Sequence, residues 1–228
     1  MSSTFDTTIF GSAWDTDWHM QGGERTALLY LLSTIRPTLS LEIGTFRGGS
    51  LRPISHFSKK TYTFDIDPLQ HRMAPSFPTV EFITGDTAVT LPPIIETIAR
   101  GPLELNFVLV DGSHETAGVR HDITCCLRYV PRSTPCVIVM HDSANPAVRE
   151  GILSAPWHDS PHAHALDVDF VPGALYERPD VRDQLWGGIA VGLLMPGRRT
   201  GAIDLRCNFA HTLARLAGAL ATGSAPRA

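Results

Sequence analysis

Two apolar runs in this chain each end in an acid and a histidine within a few residues. Residues 105–110 run into Asp111 and His114, in VDGSH, and residues 136–140 run into His141 and Asp142, in MHDS. Nearly continuous apolar runs of that length read as strands buried on both faces, so both sets of polar groups reach one edge of a sheet. Imidazoles that titrate near neutral pH, set among carboxylates, are equipped for acid–base work, which makes His114 and His141 candidate catalytic residues. A third stretch, TLSLEIGTFRGGS at 38–50, turns an apolar run through Glu42 into a string of glycines. Gly44, Gly48 and Gly49 let the backbone bend tightly and approach a ligand closely. The interval from Glu42 to Gly44 to Gly48 differs from the G-x-G-x-x-G of dinucleotide binders.

Those residues need a scaffold, and the flanking sequence supplies one. Apolar positions Ala27, Leu28, Leu31, Leu32 and Ile35 follow helical spacing over 23–36, and Pro37 stops the run. Leu39, Leu41 and Ile43 make a strand; Ser50 is placed to cap a helix through Leu51, Ile54 and Phe57, with Pro53 tolerated in its first turn. TYTFDIDP at 61–68 reads as a second strand ending in acids. Asp65 there can accept hydrogen bonds from both hydroxyls of a ribose, with Asp67 as the competing choice. A third strand at 80–84 leads to Asp86, which either reaches an adenine amino group or caps the helix at 91–99. Ser113 is placed to cap the next helix, whose buried stripe is Val119, Ile123, Cys126, Leu127 and Val130. A helix at 145–153, strands at 166–171 and 188–195 around an irregular segment with Tyr176 and Trp186, and a helix at 208–221 complete the reading. His158, His162 and His164 fall in a proline-broken loop, a place for solvent-facing or substrate-adjacent histidines rather than a metal cluster.

At 228 residues the chain suits one α/β domain. We divide it into an arm or lid at 1–22 carrying Trp14 and Trp18, a main domain at 23–200, and an extension at 201–228. The net charge of -4, with Lys59 and Lys60 as the only lysines, argues against nucleic-acid binding. Cys125, Cys126, Cys136 and Cys207 form neither a metal-finger spacing nor a disulfide framework, which points to a reducing, cytoplasmic setting. The opening MSSTFDTTIF lacks a basic start and apolar core, and no run is long enough to span a bilayer. A homo-oligomer is compatible with the sequence but not specified by it.

Taken in order, LEIGTFRGGS, FDIDP, GDT, VDGSHETAGVRHD and VIVMHDS resemble the class I S-adenosylmethionine-dependent methyltransferases over roughly residues 23–197. The nearest resemblance is to small-molecule O-methyltransferases whose fourth strand ends in D-G-S-H. It implies a Rossmann-like, doubly wound α/β fold: a seven-stranded sheet, mostly parallel with a final antiparallel strand, and helices on both faces. It implies S-adenosylmethionine as cofactor, lying along Glu42, Gly44, Thr45, Gly48 and Ser50, with Asp65 at the ribose, Asp86 near adenine and Asp111 at the sulfonium end. Similarity to catechol-type and macrolide-sugar O-methyltransferases further implies a divalent-cation site at Asp111, His141 and Asp142. Oxygen ligands there suit Mg2+, whereas an imidazole in place of the usual Asp or Asn shifts preference toward manganese, iron or zinc. Without a cation, Asp111 and Asp142 would bind substrate or the sulfonium end directly, with His141 orienting one of them.

The expected function is methyl transfer to a small-molecule hydroxyl, with a general base or a cation activating the acceptor. His114 is the preferred base where His141 is a ligand. The alternatives are a different reaction on the same cofactor, such as a hydroxylation, a non-catalytic cofactor-binding partner protein, and a nicotinamide-dependent enzyme, which the glycine spacing disfavours.

Overall fold

The computed structural model describes residues 18–175 and 184–207. The readings that fall on Trp14, on Tyr176 and on a helix at 208–221 lie outside the described residues. Helix α1 (Gly22–Ile35) enters strand β1 (Leu39–Ile43) through Arg36, which caps the helix in the left-handed region before Pro37 forbids its continuation. There follow α2 (Leu51–Phe57), β2 (Lys60–Asp65), a 3-10 segment (Pro68–Ser76), β3 (Val80–Thr84), α3 (Thr87–Arg100) and β4 (Leu105–Val110). The chain continues through α4 (Thr116–Cys126), β5 (Cys136–His141), α5 (Pro146–Ser154), β6 (Ala163–Val171), a small pair β7 (Ala174–Leu175) and β8 (Leu185–Trp186), then β9 (Ile189–Leu194) and β10 (Asp204–Arg206).

The main sheet has the order β10-β6-β9-β5-β4-β1-β2-β3. Every pairing is parallel except those of β9, which runs antiparallel to both β5 and β6. Seven strands were expected, and the main sheet has eight among the described residues. The eighth, β10, is three exposed residues, D-L-R, that pair only with β6, so no apolar run announces it. One face of the sheet packs Leu41, Val108 and Ile138 against Leu91, Ile95, Ile123 and Ile152 of α3, α4 and α5. The other packs Phe107, Leu109 and Val139 against Leu28, Leu32 and Ile54 of α1 and α2. Burial on both faces is why these strands read as unbroken apolar sequence.

The carboxyl ends of the central strands are knitted together. The amide of Gly44 donates to Phe64 O (2.9 Å), that of Asp111 to Ile43 O (2.8 Å), and that of Gly85 to Asp65 O (3.0 Å). Each strand's first turn residue thus completes its neighbour's ladder, and the polar residues that follow are held in one row.

Three local expectations give way. Ser50 does not cap α2, because its hydroxyl is committed to the Glu42 carboxylate. Ser113 accepts from the Glu115 amide (3.2 Å) in the turn ahead of α4, and Glu115 itself takes the cap position. Val130 is half exposed rather than part of a buried stripe, since α4 ends at Cys126 and the chain turns away. Among the described residues no helix is long and apolar enough to cross a membrane.

Candidate active site

A cleft of about 1100 Å³ opens along the carboxyl ends of β1, β2, β3, β4 and β5, a size that accommodates a nucleoside cofactor together with an acceptor. Gly44, Asp65, Asp86, Asp111, His114, His141 and Asp142 line it, so most of the sequence-derived candidates converge there. Glu42, Thr45, Gly48 and Ser50 do not line it. They form the buried underside of the turn. The Ser50 hydroxyl donates to Glu42 Oε1 (2.7 Å) and the Thr63 hydroxyl to Oε2 (2.6 Å), while the Thr45 hydroxyl pairs with that of Thr63 (2.6 Å). Alternation along β1 turns Glu42 away from the cleft, toward the α2 side of the sheet.

Burial pushes the Glu42 carboxyl up to about 8, with the negative charges of Asp111 and Asp65 adding to it and the Thr63 and Ser50 hydroxyls opposing it. The folded state therefore holds a proton there that the unfolded chain releases near pH 4.5. Stability is then lost as pH rises from about 4.5 to about 8, at up to ~1.4 kcal/mol per pH unit. Glu42→Gln keeps the shape and one hydroxyl contact as it stands, reverses the other so that the amide N–H donates to the hydroxyl oxygen, and removes that slope. The variant should match the parent near pH 5 and exceed it increasingly toward pH 8 in urea midpoint. Parallel curves from pH 5 to pH 8 would show that Glu42 is ionised in the fold.

The Asp65 carboxylate is already engaged by backbone, which fixes its orientation. Oδ2 accepts from the amides of Thr45 (3.1 Å) and Phe46 (2.8 Å), and Oδ1 from that of Asp67 (2.9 Å). Lone pairs remain for a ligand. Asp67 instead accepts from Leu69 N and starts the 3-10 segment. Asp86 caps α3 by accepting from Ala88 N (2.8 Å), and it also lines the cleft.

The densest chemistry lies at the ends of β4 and β5. His141 Nδ1 is 3.0 Å from Asp111 Oδ1 and 3.5 Å from Asp142 Oδ2, and His114 Nε2 is 3.1 Å from that same Asp142 oxygen. One donor atom each from Asp111, His141 and Asp142 lies within 4.8 Å of the others, a spacing that suits a shared cation. Asp142 holds a left-handed φ of 55°, the backbone form that Asp tolerates better than most residues. Its Oδ1 accepts from Gly187 N (2.7 Å), in the left-handed Gly187-Gly188 turn that leads into β9. The Asp142 carboxyl is held below the usual range: burial raises it, and the His114 hydrogen bond, the His141 charge and the Gly187 amide outweigh that. His114, partly exposed and edge-on to Trp186 at 5.3 Å, is raised by its bond to Asp142 against the effect of burial.

Sequence reasoning missed Glu24. This carboxylate from α1 is fully buried, with Oε2 at 3.2 Å from His141 Nε2 and accepting from Gln21 N (2.6 Å), and Oε1 accepting from Gly188 N (2.5 Å). An acid three residues into a helix reads as an ordinary capping residue, so only the fold reveals its partner. The strap before it, Trp18 to Gln21, also borders the cleft, and Trp18 lies against Gly49, where a β-carbon would stand 2.7 Å from its Cα. His162 and His164 sit at the opposite end of β6, bound to the carbonyls of Met195 and Gly197, and take no part.

Residues 41–143 match the family model described as a methyltransferase domain. A search of curated proteins returned no match. Among solved structures, the fold is shared with an O-methyltransferase from Bacillus cereus in complex with SAH (14% identity, 83% of this chain and 88% of that one, TM-score 0.56). It is shared with TomG, an O-methyltransferase from Streptomyces achromogenes involved in tomaymycin synthesis, in complex with SAM (15%, 82% and 86%, TM-score 0.53). It is also shared with MycE, the methyltransferase of the mycinamycin biosynthetic pathway in complex with Mg, SAH and mycinamycin VI (19%, 86% and 56%, TM-score 0.52). At these identities the structures establish the fold alone. The segment that matches the methyltransferase-domain model spans the glycine turn through the end of β5, the part of the chain that supplies most of the cleft.

Proposed function

We propose that this protein transfers the methyl group of S-adenosylmethionine to a hydroxyl of a small molecule, assisted by a divalent cation held by Asp111, His141 and Asp142. The observation that carries the reading is the convergence of those three donors on the same cleft as Gly44, Asp65 and Asp86. In the row set by the strand ends, the ribose falls to Asp65 and the adenine end to Asp86. The sulfonium then points toward Asp111, and the acceptor toward His114 and Trp186. The presence of Mg and mycinamycin VI with MycE, and of SAM with TomG, supports the reading by analogy of fold.

S-adenosylmethionine brings an activated methyl group, and a cation, when bound, lowers the pKa of a coordinated hydroxyl. The protein's own tasks are then positioning and proton removal. Asp111 and Asp142 orient the acceptor oxygen. His114, the more accessible imidazole, takes the acceptor's proton, and its bond to Asp142 steadies the imidazolium. His141 is enclosed by three carboxylates and serves as ligand rather than base.

The test is methyl transfer from labelled S-adenosylmethionine to a panel of diols, catechols and sugars, before and after chelation. Chelation should lower the rate by about 10²-fold or more, with recovery on adding Mn2+ or Mg2+. A rate indifferent to chelator sinks the cation. S-adenosylhomocysteine binding with no methyl incorporation on any acceptor favours a different reaction or a non-catalytic partner protein. No binding of the nucleoside sinks the whole reading.

A further inference from the structure

We infer that Glu24 is the positioning residue of the cation site: it holds the His141 ring by Nε2 so that Nδ1 faces Asp111 and Asp142. The inference deepens the proposed function and rests on its cation reading. It starts from a contact between residues 117 apart in sequence: Glu24 Oε2 to His141 Nε2 at 3.2 Å, with both groups buried.

Capping α1 alone does not account for this arrangement. A capping acid needs one oxygen near the first amides of its helix and gains from staying in water, whereas burying a carboxylate costs several kcal/mol unless it is well partnered. Glu24 is fully buried and divides its oxygens among three elements: Gln21 N at the start of α1, Gly188 N ahead of β9, and His141 at the end of β5. The glycines opposite are shaped to it, since a β-carbon on Gly187 would stand 2.5 Å from Glu24 Oε1. The same turn gives its other amide, Gly187 N, to Asp142 Oδ1 at 2.7 Å. One two-residue turn therefore binds both the carboxylate behind His141 and the carboxylate beside it.

A histidine whose far nitrogen is held by a carboxylate presents its near nitrogen in a fixed direction and as a stronger donor, and loss of such a partner costs 10- to 100-fold in metal affinity. With two carboxylates and one fixed imidazole, the site suits a first-row divalent cation, of which Mn2+ is the one closest to Mg2+ in its liking for oxygen ligands, better than it suits Mg2+ itself.

Glu24→Gln is the informative variant, since its amide oxygen can still accept from Gln21 or Gly188 while the charge behind His141 is gone. Calorimetric titration with Mn2+ should give a dissociation constant 10- to 100-fold weaker than that of the parent, with S-adenosylhomocysteine affinity within about twofold. Equal Mn2+ affinity in the two proteins overturns the inference and leaves the cation reading standing. No Mn2+ binding by the parent overturns both. A parallel loss of Mn2+ and S-adenosylhomocysteine affinity marks general damage and overturns the positioning role. Should the variant fail to fold, proton NMR of the parent decides. A downfield imidazole N–H that is absent in His141→Ala and survives Zn2+ addition supports the role; loss of that resonance on adding Zn2+ means Nε2 has turned to the cation, and overturns it.

Discussion

Asp111→Asn should lower kcat/KM by about 10²- to 10³-fold while leaving S-adenosylhomocysteine affinity within about threefold. The substitution keeps the size of the side chain and an oxygen at the position 3.0 Å from His141 Nδ1, and the ring stays held from its other nitrogen by Glu24, so it should not move. The loop should not move either, because the Asp111 amide is fixed to Ile43 O at 2.8 Å and Gly112 packs beside Ile43. What is lost is one negative charge at the point where β4 and β5 deliver their carboxylates. If Asp111 is a cation ligand, that charge matters most when the acceptor oxygen becomes anionic, so the loss belongs to the transition state and appears in kcat. If Asp111 instead contacts the sulfonium end of the cofactor, the loss appears in the affinity for S-adenosylmethionine, with kcat preserved. Single-turnover rates combined with calorimetry separate the two. Undiminished turnover would remove Asp111 from both roles.

How far the sequence anticipated this site follows from what each residue signals locally. Asp111, His141 and Asp142 were legible because each interrupts a long apolar run, and a parallel sheet aligns such interruptions on one edge. Asp65 and Gly44 were legible for the same reason. Glu42 and Ser50 were placed on the ligand side because they flank the glycines, yet strand alternation turns Glu42 under the turn, and Ser50 follows it there. Glu24 was invisible, since its pattern is that of any helix start and its partner lies 117 residues away. The Gly187-Gly188 turn was not legible either, since nothing nearby in the chain says that its two amides go to two different carboxylates. Strand β10 escaped because three exposed residues at a sheet edge carry no alternation that distinguishes them from loop. Local pattern thus located the row of strand ends, while the contacts that aim individual side chains come from elements distant in sequence.

The glycine turn carries the second large effect, on the fold itself. Gly44 has a φ of +93°, and a β-carbon there would stand 2.2 Å from the backbone oxygen of Asp111. That oxygen belongs to a chain segment pinned by the Asp111 amide to Ile43, so it has no rotamer through which to withdraw. Gly44→Ala must then accept both a left-handed alanine, at ~1–2 kcal/mol, and overpacking, at ~1–3 kcal/mol. The expected loss is about 2–5 kcal/mol, which for a chain of this size is a fall in Tm of roughly 4–20 °C. Gly197→Ala serves as the control, because nothing lies within 4 Å of its added methyl, and it should shift Tm little. The only relief open to Gly44→Ala is to part the ends of β1 and β4, which draws Asp111 away from His141 and withdraws the Thr45 and Phe46 amides from Asp65. Cofactor affinity and turnover should therefore fall together at temperatures where the variant is still folded, unlike the split expected for Asp111→Asn. A Gly44→Ala protein that keeps full affinity for S-adenosylhomocysteine and loses less than about 1 kcal/mol would mean that the turn can relax without moving β4, and that the close approach of Gly44 to Asp111 is not what fixes the site.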